Sequence, residues 1–313
     1  MHRTTVIAAS IALLMAPMVH AQPGGMPSDI EWKLAELGAV IDPPAMYNLY
    51  APLQERQPYN DIKVRRDLRY GPDTNNALDI FTHDRVAAGP KPVLVFVHGG
   101  EFTGGSKRRL GSPFYDNVVL RAARAGLIGV NMTYRLAPQH PWPAGAEDVA
   151  AAVRWVEGNI GPYGGDPGRV FLMGHSSGSV HAASYVAHER FHGPNGLGLA
   201  GVILLSGFFD LTAMQLAPSA EAYFGQNRAN YAERSSLAGL ASSPLPLMVV
   251  YAELDPPLFG EQANRLNDAK CNNRRCPHLV LLAKHNHMSQ VYAINTKDTE
   301  LSDEIVAFVK SAR

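Results

Sequence analysis

Apolar residues fall into short runs separated by longer amphipathic stretches. The runs at 92–97, 127–132, 170–173, 200–206, 245–251 and 279–283 are of strand length, with no alternation of apolar and polar residues. Between them, 113–125, 144–160 and 179–188 repeat apolar residues at helical spacing, and 301–310 closes the chain in the same way. Upstream, helical patterns at 31–37 and 45–50 flank Pro43-Pro44, and two further strands follow at 62–70 and 77–81 around the turn residues Gly71-Pro72-Asp73.

Strands apolar on both faces and separated by helices predict an α/β fold, with a mostly parallel central sheet flanked by helices on both sides. Ligands of such sheets bind beyond the carboxyl ends of the strands. One strand, 170–173, runs into Gly174-His175-Ser176-Ser177-Gly178 and then into a helix. This is the G-x-S-x-G pattern, in which a sharp turn pushes a serine hydroxyl away from the backbone. Ser176 is the candidate nucleophile.

A serine needs a base, and the base needs an orienting carboxylate. The run 245–251 leads to Glu253 and Asp255, and the last strand leads to His285 and His287. Acid and base thus follow two later strands in the order Ser, acid, His. Asp255 is favoured over Glu253 because Pro256-Pro257 fixes the loop behind it. Asp210 is a third candidate, with a helix cap as its alternative role. An oxyanion would be met by the amides of Ser177, Gly99 and Gly100, the last two following the strand 92–97. His98 reads as a loop-structuring residue. Glu101 reads as a solvated carboxylate or a substrate contact. His181, His188 and His192 read as surface histidines.

The length, with 46% hydrophobic residues, suits one large domain rather than two small ones. Formal net charge is zero and no Lys/Arg run exceeds Lys107-Arg108-Arg109, which argues against a nucleic-acid partner. There is no P-loop, dinucleotide fingerprint or metal-spaced cluster, so no cofactor is expected. His2-Arg3, the apolar run 6–19 and Val19-His20-Ala21 read as a signal peptide over 1–21, cleaved near Ala21. Export to the periplasm or the medium follows, with no stable membrane anchor; oligomeric state is left open. In an oxidising compartment Cys271 and Cys276, read as sitting in a polar loop, are expected to form a disulfide contributing roughly 2 kcal/mol.

Together, His98-Gly99-Gly100, Tyr134-Arg135-Leu136-Ala137-Pro138, Glu147-Asp148-Val149, Arg154-Trp155-Val156, Gly165-Asp166-Pro167, the serine turn and His287 resemble the α/β-hydrolase superfamily. The resemblance runs from about residue 70 to the end, within the esterase branch that includes hormone-sensitive-lipase-like carboxylesterases and arylformamidases. It implies an α/β-hydrolase fold, and it selects His287 over His285, because the histidine followed by an apolar and a small polar residue is the family's base. Glu101 replaces a third glycine usual in the lipase-like members, and His175 and Ser177 stand where Asp and Ala are usual, a choice closer to the arylformamidases. The resemblance also implies that the insertion 212–243, too long for a simple connection, contributes with the helical segment 22–60 to a small cap on a single domain, 22–313. Met214, Leu216, Tyr223 and Phe224 in that insertion face either substrate or the sheet.

The expected protein is an exported serine hydrolase that cleaves small esters of short or medium acyl chain through Ser176, His287 and Asp255. An arylformamidase or amidase with the same triad is the alternative. A non-catalytic binding protein on a hydrolase scaffold is the third class.

Overall fold

The computed structural model describes residues 25–85 and 89–312; the expected signal peptide, 1–21, lies outside them. Eight strands form one sheet: β1 (Ile62–Arg69), β2 (Ala77–His83), β3 (Lys91–Val97), β4 (Ile128–Met132), β5 (Gly165–His175), β6 (Gly201–Leu205), β7 (Leu247–Leu254) and β8 (His278–Asn286). Their spatial order is β1-β2-β4-β3-β5-β6-β7-β8. β1 and β2 pair antiparallel at one edge, β2 pairs antiparallel with β4, and from β4 to β8 every pair is parallel.

The helices, in chain order, are α1 (Ser28–Leu37), α2 (Pro43–Tyr50), α3 (Asp116–Arg124), α4 (Ala144–Asn159), α5 (Ser177–Ala187), α6 (Pro218–Phe224), α7 (Tyr231–Arg234), α8 (Leu237–Ser242), α9 (Pro257–Asn272), α10 (Ser289–Tyr292) and α11 (Glu300–Ser311). Successive strand residues enter different cores, which explains the uninterrupted apolar runs. Val93, Val95, Val170, Leu172, Val202 and Leu204 face α4 and α5. Leu94, Phe96, Phe171, Met173, Ile203 and Leu205 face α3 and α11. Each face removes a full layer of side chains from water, so a polar strand residue there needs a charge or hydrogen-bond partner.

Helix starts follow local chemistry. Asp42 accepts a hydrogen bond from the Ala45 amide at 2.9 Å, and Pro43-Pro44 occupy first-turn positions where a missing N–H costs nothing. α9 escaped the apolar-pattern reading because its buried Phe259, Ala263, Leu266 and Lys270 are interleaved with polar residues. Cys271 therefore lies in the last helical turn of α9, not in a loop. The Cα atoms of Cys271 and Cys276 are 4.2 Å apart.

The two parts of the expected cap differ in what they touch. Ile41, Pro43 and Tyr47, from the N-terminal segment, line the cavity that also holds Ser176. In the insertion, Leu216, Tyr223 and Phe224 are buried with Phe102, Phe208 and Phe259, and Phe102 stacks on Tyr223 at 4.9 Å between centroids. None of residues 212–243 lines the cavity.

A charged network ties the sheet edge to the loop after β3. Asp79 on β2 is fully buried and accepts from Lys107 Nζ at 2.7 Å, Arg66 at 2.8 Å and the Asp67 amide at 2.7 Å. Arg66 and Lys107 also pair with Asp116 and Asp67, and Arg108 reaches Asp67 at 2.7 Å. Three cations and three carboxylates compensate one another. Removing one partner strands buried charge, so Asp79→Ala should lower stability by about 3 kcal/mol or more in urea unfolding. A loss below about 1 kcal/mol would contradict this account of the network.

Candidate active site

β5 delivers the chain to Ser176, and α5 begins at the next residue. Ser176 has φ 55° and ψ −125°, a conformation that turns its side chain out of the strand-to-helix corner. Small neighbours make the corner possible. A Cβ on Gly174 would lie 2.4 Å from the Gly178 carbonyl oxygen, and one on Gly178 would lie 2.2 Å from that of Val97. The loop after β3 closes in from the other side: a Cβ on Gly99 would sit 3.1 Å from Ser176 Cβ. Ser176, Gly99 and Gly100 line one cavity of about 480 Å³, together with His175, His287 and Glu101. Ser177 is buried at the first turn of α5.

Asp255 follows β7 and His287 follows β8. Both are buried, and His287 Nδ1 donates to Asp255 Oδ1 at 2.8 Å. That bond leaves Nε2 of His287 with a lone pair, and the His287 ring is held between Phe259 and His175 at centroid distances of 4.5 and 4.8 Å. The other carboxylate oxygen of Asp255 accepts from Ser206 Oγ at 2.6 Å and the Ala252 amide at 2.8 Å. Gln290 Nε2 donates to Ser206 Oγ at 2.6 Å. Ser206 and Gln290 were not singled out in the sequence. Ser206 directly follows β6, so the strand-end rule that found Asp255 also points to it.

The alternatives lie elsewhere. Glu253 accepts the Lys284 amide at 2.7 Å and joins the ends of β7 and β8. Asp210 accepts from the amide and hydroxyl of Thr212, the helix cap that was its alternative role. His285 is buried, with Nδ1 at 2.9 Å from Ser289 Oγ and Nε2 at 3.1 Å from Asp298. His285, Asp298 and Glu300 place potential ligand atoms within 4.8 Å of one another, a grouping hidden by their sequence spacing.

The motifs after β3 and β4 are packing devices. Tyr134 Oη donates to the His98 carbonyl at 2.8 Å, and the two rings stack at 4.4 Å. His98 Nδ1 meets the Gly99 carbonyl at 2.7 Å, a bond within its own loop. Asp148 on α4 accepts from the Arg135 amide at 2.7 Å and side chain at 2.9 Å.

The model of the alpha/beta hydrolase fold matches residues 94–267, more than half of the chain. The chain belongs to this α/β-hydrolase family. Esterase LipC of Mycobacterium tuberculosis is 35% identical over 114 residues, covering 36% of this chain and 27% of that protein. Carboxylesterase NlhH of the same organism is 44% identical over 88 residues, covering 28% and 26%. The chain thus spans about a quarter of the length of these curated relatives. Among solved structures, the hyperthermophilic esterase of Pyrobaculum calidifontis matches with a TM-score of 0.65 at 21% identity, over 91% of this chain and 96% of the other. Esterase B of Lactobacillus rhamnosis matches with a TM-score of 0.69 at 18% identity, over 91% and 94%. At these identities the likeness is one of fold.

Three buried histidines of this α/β-hydrolase surround the nucleophile turn. His175 Nε2 meets the His287 carbonyl at 2.9 Å, tying the turn to the loop that bears His287. His181 is buried among Phe102, Tyr134 and Tyr223, not at the surface. His188 and His192 are half-buried and bonded to backbone carbonyls. Burial lowers His98 to about 4 and His181 to about 3, and holds His175 well below the usual histidine value. Each folded value lies below the unfolded one, near 6.5, so the unfolded chain gains protons first on acidification. Their stabilisation is complete above about pH 6.5 and is lost as pH falls towards 4, by about 2 kcal/mol per histidine at pH 5. Urea unfolding at pH 7 and pH 5 should show that loss, with a smaller one in His181→Leu; equal stability at both pH values would contradict it.

Proposed function

We propose that the protein is a serine esterase cleaving carboxylic esters of short or medium acyl chain. The observation that carries this reading is the buried Asp255–His287 hydrogen bond, which leaves an imidazole lone pair in a protein whose cavity is lined by both His287 and Ser176. The names of the curated relatives, esterase and carboxylesterase, support it over the part of their length that matches.

Ser176 Oγ attacks the ester carbonyl carbon while His287 Nε2 takes the hydroxyl proton. Asp255 holds His287 in the tautomer with Nδ1 protonated and stabilises the imidazolium that forms. The amides of Gly99, Gly100 and Ser177 receive the negative charge on the carbonyl oxygen. The tetrahedral centre collapses, and the leaving alkoxide takes the proton from His287. Water then attacks the acyl-serine through the same base, releasing acid and restoring Ser176. A cavity of about 480 Å³ suits a small substrate. Ser206 donates to Asp255, and Gln290 in turn donates to Ser206, which fixes the carboxylate against His287.

We also propose that the pattern in residues 1–21 directs export and that Cys271 and Cys276 form a disulfide after it, fastening the end of α9 ahead of β8. The activity is tested with nitrophenyl esters of increasing acyl length beside an N-formyl aromatic amine. Ester turnover falling with chain length, and a drop in kcat of at least about a thousandfold in Ser176→Ala, are expected. Full activity in Ser176→Ala would overturn the mechanism, and turnover of the formamide alone would assign the triad to amide cleavage.

A further inference from the structure

The cavity that holds Ser176 has a charge pattern that the esterase reading alone does not explain. Four aromatic side chains, Tyr47, Phe114, Tyr115 and Tyr292, line it, with Phe114 and Tyr292 stacked at 3.8 Å. Three charged side chains line it as well, Glu101, Arg108 and Arg109. Arg108 belongs to the balanced network of three cations and three carboxylates and pairs with Asp67. Among the described residues, Glu101 and Arg109 have no ion-pair or side-chain hydrogen-bond partner. One acid and one base thus line the cavity without a charge partner, beside the four aromatic rings.

Glu101 is also held in an unusual way. Its φ is 53° and that of Phe102 is 66°, a left-handed pair in which glycine would be favoured. Phe102 is buried against Tyr223, and its carbonyl accepts the Ala137 amide at 3.0 Å, so the turn is fixed from behind. Glu101 lines the cavity beside Gly100 despite that backbone preference, and a disfavoured conformation retained at a site points to use. Arg109 lies at the Tyr292 side: burial raises the Tyr292 phenol, while the Tyr115 hydrogen bond and the Arg109 charge oppose that rise.

We propose that the cavity takes an aryl ester whose aromatic half carries both an ammonium and a carboxylate group, Glu101 receiving the first and Arg109 the second. The aromatic wall holds the ring, and the two charges set its orientation over Ser176. The proposal rests on the esterase reading and adds its substrate class. Glu101 and Arg109 are then specificity-determining residues.

Four acetates of one type of phenol test it: 4-methylphenyl acetate, O-acetyltyramine, 3-(4-acetoxyphenyl)propanoate and O-acetyltyrosine. Their leaving groups are of similar reactivity, the acetyl half is too small to fill the cavity, and only the charge of the aromatic half changes. The zwitterion should exceed the neutral ester in kcat/KM by roughly tenfold at low ionic strength, with the margin shrinking in high salt. Glu101→Gln, and Glu101→Gly, which suits the positive φ, should remove the advantage of the ammonium-bearing esters. Arg109→Gln should remove that of the carboxylate-bearing ones. Hydrolysis of the neutral ester as fast as the zwitterion, or preferences unmoved by these substitutions, would overturn this inference and leave the esterase reading standing. No turnover of these four or of any nitrophenyl ester would overturn the esterase reading itself.

Discussion

A parallel sheet delivers the carboxyl ends of its strands to one edge, and the site depends on that constraint. β3, β5, β6, β7 and β8 are neighbours in the parallel part of the sheet, and each releases a segment of the candidate site where it ends. Gly99 and Gly100 follow β3, Ser176 follows β5, Ser206 follows β6, Asp255 follows β7 and His287 follows β8. Residues far apart in the chain thus meet without any helix having to carry them. Once the two apolar cores fix the register of the strands, these positions are fixed with it.

Burial then sets the electrostatics. Asp255 and His287 are both removed from water, where an unpaired charge would be costly, so the carboxylate takes hydrogen bonds from Ser206, the Ala252 amide and His287. The neighbouring His98, His175 and His181 stay neutral for the same reason and add no positive charge around the nucleophile turn. On the far side of the Gly99–Gly100 loop, the Asp79 network holds the segment from Lys107 to Asp116 against the antiparallel edge. A neutral inner shell and a balanced charged anchor leave Glu101 and Arg109 as the charges open to the cavity.

The legible part of this arrangement was local. Gly174 and Gly178 are visible in sequence because the close approach they permit requires their spacing. Ser, acid and His were visible because each follows an apolar run. The choice between His285 and His287 was not local: the two lie two residues apart, and only the positions of Asp255 and Asp298, reached through other elements, separate their environments. His181 looked like a surface residue because nothing near it in sequence announces the rings of Phe102, Tyr134 and Tyr223 that bury it. The Asp79 network was invisible for a related reason, since its partners come from β1, the loop after β3 and α3. α9 was hidden by polar residues between its buried positions. The place of Tyr47 at the cavity likewise follows from how α2 packs, which amphipathicity alone does not specify.

The central claim is that Asp255 and His287 activate Ser176. Reaction with an aryl phosphonate ester, followed by peptide mass spectrometry and by release of the leaving group, tests it most directly. The account predicts one phosphonyl group per chain on the peptide containing Ser176, with labelling slowed by at least about a hundredfold in His287→Ala and in Asp255→Ala. Labelling at another residue, or labelling of Ser176 at an unchanged rate in both variants, would contradict it.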